Sequence, residues 1–261
     1  MTAIFAVSPC NREDSTVFSQ VALSEEDQIH HYHVAKTGGT TVDYFMRKLF
    51  PRHVDALAET PYYRWRSNHT YSVVWLREPH EWLFSAVYHD LGMERIKLSG
   101  STFRLADALN QSAHMRGHRN LKGYDYQDFQ TRFLVGKTRG RLSDFLAAKR
   151  VLDCIDVVGI AEYMSESICL LMYKFSHPEF SRCSCAFKVE QRNARVGDKN
   201  YHLIPESERF AMFGRYTDFA SIGEYLRTDE LVYSYALQRF LADISAVEKA
   251  SGVKLLCDRP K

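Results

Sequence analysis

The sequence predicts an α/β fold with a central parallel sheet in a three-layer arrangement. Three short apolar runs indicate buried strands, at 28–34 ("QIHHYHV"), 71–76 ("YSVVWL") and 156–160 ("DVVGI"). Segments with a helical period follow the first two runs. Because parallel strands need a crossover connection, usually a helix, this alternation predicts a parallel sheet.

The elements between these strands follow from the same patterns. Residues 40–50 carry apolar side chains at spacings of three and four, which predicts an amphipathic helix that ends before Pro51. The alternation in "HVDAL" (53–57) predicts a further strand. Pro79 suits the first turn of a helix that continues through "EWLFSAVYHDL".

The second half is predicted to be mostly helical. "FLAAKRVLDCI" and "SESICLLMYKF" have the clearest helical periods, and 205–250 ends in one long helix. "CAFKV" (185–189) is predicted as one more strand, and "EQRNARVGDKN" (190–200) as a loop. With no repeat or linker, we expect one domain over residues 1–261, of which 1–27 is an N-terminal extension.

The composition excludes several classes of protein. The chain has 261 residues, of which 45% are apolar and 25% are charged, as in ordinary globular proteins. Its net charge of +2 gives no reason to expect nucleic acid as a partner. It contains no apolar run of about 18 residues, so we expect no transmembrane helix, and its start does not resemble a signal peptide.

The cysteines suggest no metal centre. The sequence has six cysteines, and Cys154 and Cys169 lie in apolar segments that predict buried thiols. Cys183 and Cys185 form a Cys-x-Cys pair near His177. A zinc site usually needs two spaced pairs, so free thiols are favoured there over a disulfide or zinc.

The string "VAKTGGTT" has the features of an anion-binding loop. Lys36 follows a strand, Gly38 and Gly39 allow a ligand to approach the backbone, and Thr40 and Thr41 begin a helix. The lysine precedes the glycines, which is the reverse of the Walker A order. The alternative is a plain helix start with a threonine cap after a tight turn.

A second loop strengthens the anion interpretation. "VVWLREPHEWLFSAVYHDLG" places Arg77 and Glu78 directly after a strand and Ser85 two turns into the next helix. Both loops then lie at the carboxyl ends of strands, where α/β sheets bind ligands. Arg77 and Ser85 suit a second phosphate. The alternative is a surface Arg–Glu pair at a helix start.

Together, "VAKTGGTT" and "LREPHEWLFSAVYHDLG" resemble the two signature motifs of the sulfotransferases that use 3′-phosphoadenosine 5′-phosphosulfate (PAPS). The nearest likeness is to the carbohydrate branch, with "PKTGGTS" and "LRDPVERFLSAYY", and "ELVYSYALQRF" (230–240) resembles the C-terminal helix of that branch. The resemblance implies a P-loop-NTPase-like sulfotransferase fold. It also implies sulfuryl transfer from PAPS to an acceptor hydroxyl, with adenosine 3′,5′-bisphosphate as product and no metal.

The resemblance implies a role for each matching residue. The residues matching the loop that holds the 5′-phosphosulfate are Lys36, Thr37, Gly38, Gly39, Thr40 and Thr41. Those matching the pair that holds the 3′-phosphate are Arg77 and Ser85. The late loop that closes over the donor resembles "RNARVGDKN", where the candidates are Arg192, Asn193, Arg195 and Lys199.

Three positions depart from the family's pattern. Trp82 stands where the second motif has an arginine, Glu78 where it has an aspartate, and Ala35 where the first motif has a proline. The missing arginine removes part of the usual salt bridging of that helix. The interval from Lys36 to Arg77 is also short for the glycan branch, which suggests a shortened crossover.

Sulfuryl transfer needs a positive charge on the leaving oxygen and a base for the acceptor hydroxyl. Lys36 suits the first role. Glu59 is the preferred base because it follows "HVDAL" and resembles a glutamate found there in several sulfotransferase branches; the alternative is a solvated side chain. His53 is a weaker candidate. His69 lies eight residues before Arg77, about 25 Å along a strand, and is predicted as a turn residue.

The acceptor is predicted to be a carbohydrate hydroxyl, with a small molecule or a tyrosine as the next choices. Aromatic and arginine residues in "PYYRWRSN" (61–68) suit a sugar ring, and His33 is expected to pack beside the first loop. The alternatives are a nucleotide-dependent kinase and a non-catalytic binder of nucleotides or sulfated ligands. We expect a cytoplasmic protein if the chain is whole, or a Golgi-lumen protein if an anchor preceded it. The sequence carries no sign of an oligomeric state.

Overall fold

The computed structural model describes residues 18–54, 70–92, 126–136, 144–189 and 219–256. Within these ranges the chain has the predicted α/β organisation, with parallel strands at the centre. The strands are β1 (Gln28–Tyr32), β2 (Thr70–Leu76) and β3 (Val157–Ile160). They are hydrogen-bonded in the order β1-β2-β3, and both pairs are parallel.

The strands form a sheet because their apolar side chains are buried along nearly their whole length. All four residues of β3 and the last five of β2 are buried. Such continuous burial is typical of a parallel sheet that is covered on both faces. The register pairs His31 with Val73 and Val74 with Val158.

A short bridge shows how the chain leaves β1. Val54 pairs in parallel with Ile29, and Ile29 pairs on its other side with Tyr71 of β2. The chain therefore passes to one side of β1 and later returns to the other side as β2. This reversal is a topological switch point, and it places the carboxyl ends of β1 and β2 beside each other.

Six α-helices surround the described strands, and every helix predicted from its period within these ranges is confirmed. They are α1 (Gly39–Leu49), α2 (Pro79–Gly92), α3 (Phe129–Leu134), α4 (Phe145–Cys154), α5 (Met164–Lys174) and α6 (Phe219–Ser251). Short 3-10 turns occupy Ala161–Tyr163 and Pro178–Arg182. The long helix α6 packs on β3 and on α4. Among the described residues, no helix combines the length and the apolar character needed to cross a membrane.

Two strand predictions need correction. Residues 185–189 ("CAFKV") form a turn and an irregular segment rather than a strand, because Phe187 N–H bonds back to the Ser184 carbonyl at 3.0 Å. Val189 N–H donates to Ser165 Oγ at 3.0 Å, so a side chain takes the place of a partner strand. Of "HVDAL", Val54 forms the isolated bridge, and residues 55–57 lie outside the described ranges.

The prediction of free thiols is wrong for each cysteine that the structure describes. Cys169 on α5 and Cys183 after the second 3-10 turn form a disulfide. Cys154 and Cys185 each take part in a disulfide as well. The turn at Pro178–Arg182 folds the chain back onto α5, which brings the Cα atoms of Cys169 and Cys183 to 5.8 Å. The spacing of the cysteines in the sequence does not reveal that the chain turns back in this way, so it could not predict the pairing.

Candidate functional site

The carboxyl ends of the three strands converge on Arg77. Lys36 follows β1, Arg77 follows β2 and Glu162 follows β3. Arg77 Nη1 donates to the carbonyl oxygen of Lys36 at 3.4 Å, and Arg77 Nε lies 3.9 Å from Glu162 Oε1. The two loops that the sequence singled out are therefore adjacent, at the switch point of the sheet.

The first loop turns sharply because two of its residues adopt left-handed backbone conformations. Lys36 has φ 67° and Gly38 has φ 86°, on either side of Thr37. Thr37 is fully buried, and its hydroxyl donates to the Val34 carbonyl at 2.8 Å. The Thr37 side chain thus holds the turn. A left-handed non-glycine residue costs on the order of 1–3 kcal/mol, a strain that recurs at ligand sites.

The loop leads into an open helix N-terminus. The N-cap residue, Gly38, has no side chain with which to cap α1, and the first turn, Gly-Thr-Thr-Val, contains no acidic residue. Gly38 and Thr40 are exposed, whereas Gly39 and Thr41 are buried. Uncapped N–H groups and the positive end of the helix dipole favour an anion at this position.

The two glycines of the loop are required for different reasons, Gly39 by the ring of His33 and Gly38 by its left-handed backbone. A Cβ on Gly39 would lie 1.8 Å from His33 Nε2, and one on Gly38 would lie 2.7 Å from Met164 Cε. His33 therefore packs against the loop, as predicted. The close approach leaves the imidazole directly beneath the start of α1.

His33 is held in its neutral form. Its Nδ1 lies 3.5 Å from Asp43 Oδ2, while the Nδ1 of His31 lies 2.6 Å from Asp43 Oδ1. Burial, followed by repulsion from His31 and Lys36, lowers the pKa of His33 to about 4 against the opposing attraction of Asp43. At neutral pH the imidazole adds no charge to the loop, so Lys36 and the helix N-terminus supply the positive potential.

A side-chain amide fixes the backbone of Arg77. Gln130 Oε1 accepts from Arg77 N–H at 2.9 Å, and Gln130 Nε2 donates to the Arg77 carbonyl at 2.8 Å. The amide takes both hydrogen bonds that a neighbouring strand would make. Gln130 is itself buried on α3, whose first N–H groups donate to Asp229, including Thr131 N–H at 2.7 Å.

Carboxylates face the Arg77 guanidinium from two sides. Arg77 Nη2 lies 3.2 Å from Glu81 Oε2, one turn along α2, and Glu162 is on the Nε side. Ser85 is half-buried one further turn along α2. Because residues four apart share a helix face, Glu81 and Ser85 lie on the side of α2 that meets Arg77.

Trp82 shows what replaces the arginine of the resembled motif. The indole is fully buried, and its Nε1 donates to the Ala35 carbonyl at 2.7 Å. Its ring stacks on Phe129 of α3 with a centroid separation of 4.8 Å. The residue thus joins α2 to the start of the first loop, without a salt bridge.

The structure does not bring His53 to this site. Its Nδ1 is 2.9 Å from the Asp27 carbonyl, at the amino end of β1, whereas Lys36 follows the carboxyl end. The five residues of β1 separate those ends by about 13 Å. The remaining predicted residues lie outside the described ranges: Glu59, His69, Arg192, Asn193, Arg195 and Lys199.

Sequence reasoning missed Gln130 and Glu162. Glu162 could have been found by the rule that identified Lys36 and Arg77, since it comes two residues after the predicted strand at 156–160. Gln130 carries no comparable signal, because its partner lies 53 positions away in the chain. Its role follows only from the packing of α3 beside the end of β2.

The arrangement combines two cations, an open helix N-terminus and a buried amide clamp at one edge of a parallel sheet. This edge can hold an anionic ligand with two charged groups, one at the first loop and one at Arg77. In the described ranges, no cluster of three or more His, Cys, Asp or Glu side chains is arranged to hold a metal ion. No protein-family model matches the chain, and no curated protein matches it either.

Proposed function

We propose that this protein is a PAPS-dependent sulfotransferase with the P-loop-NTPase-like fold of that class, nearest to the carbohydrate branch. The observation that carries the proposal is the 3.4 Å contact between Arg77 Nη1 and the Lys36 carbonyl. It joins the two motifs that resemble the donor-binding loops of these enzymes. The topological switch point between β1 and β2 is also where α/β sheets bind nucleotides.

The residues present fit the donor. The backbone from Gly38 to Thr40 and the uncapped start of α1 would hold the 5′-phosphosulfate, with Lys36 as the neighbouring charge. Arg77 would hold the 3′-phosphate, together with Ser85 on the same side of α2. The candidates of the late loop, Arg192, Asn193 and Arg195, complete the proposed donor site.

The proposed reaction is an in-line transfer. The bond between sulfur and the 5′-phosphate oxygen breaks, and a bond forms between sulfur and the acceptor oxygen. Lys36 neutralises the charge that builds on the departing phosphate oxygen. A general base takes the acceptor proton, and Glu59 is our candidate. At Val54 the chain runs parallel to β1, which is the direction that the Glu59 hypothesis requires.

The proposed acceptor is a carbohydrate hydroxyl, and a small molecule or a tyrosine is the alternative. This choice rests on the resemblance to the carbohydrate branch and on the aromatic and arginine residues of "PYYRWRSN", which lie outside the described ranges. A panel of glycan, phenol and tyrosine-peptide acceptors with labelled PAPS identifies the class. Label on a glycan supports the first choice, and label on a phenol or a peptide supports the alternative.

The disulfides support an oxidising compartment. Each described cysteine is disulfide-bonded, and such bonds persist in the secretory pathway but are rare in the cytosol. Of the two locations expected from the sequence, the Golgi lumen is therefore the one we propose. Expression with and without a secretion signal, followed by thiol counting, tests this point. A fully reduced and fully stable protein would contradict it.

Calorimetric titration tests the nucleotide specificity. We expect adenosine 3′,5′-bisphosphate to bind with a micromolar Kd and ATP to bind much more weakly. The reverse order would favour a kinase. Tight bisphosphate binding without transfer to any acceptor of the panel would favour a non-catalytic binding protein.

A further inference from the structure

We propose that Glu162 is a positioning residue for Arg77 and thereby makes the site selective for nucleotides that carry a 3′-phosphate. This inference rests on the proposed function, because it assigns Arg77 to that phosphate. The two sequence motifs follow β1 and β2, and Glu162 adds a residue that follows β3 to the same site. Neither motif includes Glu162.

The Glu162 carboxylate connects three elements. Its Oε1 accepts from the backbone N–H of Glu78 at 3.1 Å, at the residue next to Arg77. Its Oε2 accepts from the hydroxyl of Tyr233 on α6 at 3.1 Å. Glu162 itself lies in the 3-10 turn after β3. A carboxylate held at both oxygens has little freedom to rotate.

This fixed carboxylate restricts the guanidinium of Arg77. Three directions are occupied around the group: Nε faces Glu162 Oε1 at 3.9 Å, Nη2 faces Glu81 at 3.2 Å, and Nη1 bonds to the Lys36 carbonyl. A guanidinium has about five N–H donors, which is more than these contacts use. The remaining donors can form the paired bonds that arginine makes with a phosphate.

The position of Glu162 argues against a role in proton transfer. It lies beside Arg77, on the side of the site assigned to the 3′-phosphate, while transfer takes place at the Lys36 loop. Both of its oxygens already accept hydrogen bonds within the protein. A carboxylate in these surroundings orients its neighbours.

The same geometry is compatible with the opposite effect, in which Glu162 disfavours a 3′-phosphate, and this makes the proposal testable. Two carboxylates beside one guanidinium can repel a phosphate, and a carboxylate can instead bind the free hydroxyls of a ribose. In that case, removal of Glu162 would strengthen binding of a nucleotide with a 3′-phosphate. Our proposal predicts the reverse change.

The test compares two probes in the intact protein. Adenosine 3′,5′-bisphosphate and adenosine 5′-monophosphate differ in the 3′-phosphate alone. The ratio of the monophosphate Kd to the bisphosphate Kd therefore measures the selectivity for that group. We expect Glu162→Ala to reduce this ratio by about tenfold, equal to about 1.4 kcal/mol, and to change the monophosphate Kd less than about threefold. Glu162→Gln, which keeps the shape and one acceptor oxygen, should retain the ratio within about threefold. The control is Glu179→Ala, on the 3-10 turn at Pro178–Arg182, which should not change it.

Each outcome has a defined meaning. A ratio that Glu162→Ala leaves unchanged, or a gain in bisphosphate affinity, overturns the positioning role. If Glu162→Ala fails to fold, Tyr233→Phe removes one anchor of the carboxylate and should lower the ratio by about threefold; no change overturns the proposal. A wild-type protein without preference for the bisphosphate contradicts the proposed function as well, so the two failures are distinguishable.

Discussion

The indole Nε1 of Trp82 donates a 2.7 Å hydrogen bond to the carbonyl oxygen of Ala35. Trp82 lies on α2, and Ala35 lies immediately before the lysine of the first loop. The bond therefore ties the two candidate donor loops together at their bases. The resembled motif has an arginine at this position, whereas this chain makes the connection with a neutral indole.

Replacement of Trp82 by Phe should destabilise the protein through the loss of this bond. The Ala35 carbonyl is buried, and a buried acceptor left without a donor costs about 1–3 kcal/mol. Urea unfolding followed by circular dichroism measures the loss. We also expect weaker binding of adenosine 3′,5′-bisphosphate, because the first loop is no longer held to α2.

Trp75→Phe is the matched control. Trp75 is also fully buried, but its Nε1 has no hydrogen-bond partner in the part of the chain that the structure describes. The control should lose packing alone, so Trp82→Phe should cost at least about 1 kcal/mol more. Equal losses of stability and unchanged nucleotide affinity in both variants would show that the bond to Ala35 has no such role.

Replacement of Gly39 by Ala should disrupt the anion loop. The new Cβ would overlap His33 Nε2, so either the imidazole or the start of α1 must move. We expect bisphosphate affinity to fall by about tenfold or more. Titration calorimetry measures this change.

The control for that substitution is Gly223→Ala in α6. A Cβ at Gly223 meets no atom of the described residues within 4 Å, and alanine is the better helix former by about 1 kcal/mol. Gly223→Ala should therefore stabilise the protein slightly and leave nucleotide binding unchanged. A Gly39→Ala variant that behaved like this control would contradict the assignment of the loop.

His33 should make the protein less stable in acid. Its folded-state pKa of about 4 lies below the ordinary 6.5, so the folded protein binds fewer protons than the unfolded chain between these values. The stability linked to the neutral imidazole is present above pH 6.5 and is lost as the pH falls towards 4. Between pH 7 and about pH 4.5 this loss should reach about 2 kcal/mol.

The comparison variant is His33→Asn, measured by urea unfolding at both pH values. It should lose less stability on acidification than the wild type. Buried Asp229, whose pKa is raised from 3.8 to about 6, acts in the opposite sense, since its contribution to stability falls as the pH rises from 3.8 to about 6. The difference between the two proteins isolates His33, and identical pH dependences would contradict its lowered pKa.

The disulfide between Cys169 and Cys183 should stabilise the fold. It joins residues 14 positions apart, and a loop of this size predicts a contribution of about 3 kcal/mol. The double variant Cys169→Ala/Cys183→Ala should unfold at a correspondingly lower urea concentration. If the double variant were as stable as the wild type, the bond would have no part in holding the Pro178–Arg182 turn to α5.

The sheet and its helices were predictable because their signals are local. The apolar runs of β2 and β3 and the period of α5 each lie within one short segment. The same local signals placed Lys36 and Arg77 at strand ends. The prediction of a strand at 185–189 was wrong because side-chain and turn contacts occupy its backbone groups.

Contacts between distant parts of the chain were not predictable. The clamp of Gln130 on Arg77 spans 53 positions, and the bond from Glu78 N–H to Glu162 spans 84. The cysteine pairing depends in the same way on how the chain returns to α5. A single sequence contains the residues of such contacts but not the fold that brings them together.

Transfer of labelled sulfate from PAPS is the most direct test of the central claim, with Lys36→Ala beside the wild type. The control is Lys48→Ala, which removes an equal charge from an exposed residue in the last turn of α1. Lys48 lies about 14 Å along the helix from the first loop. We predict transfer to a glycan acceptor by the wild type and by Lys48→Ala, and none by a folded Lys36→Ala. Full activity in Lys36→Ala, or no transfer by the wild type to any acceptor, would contradict the account.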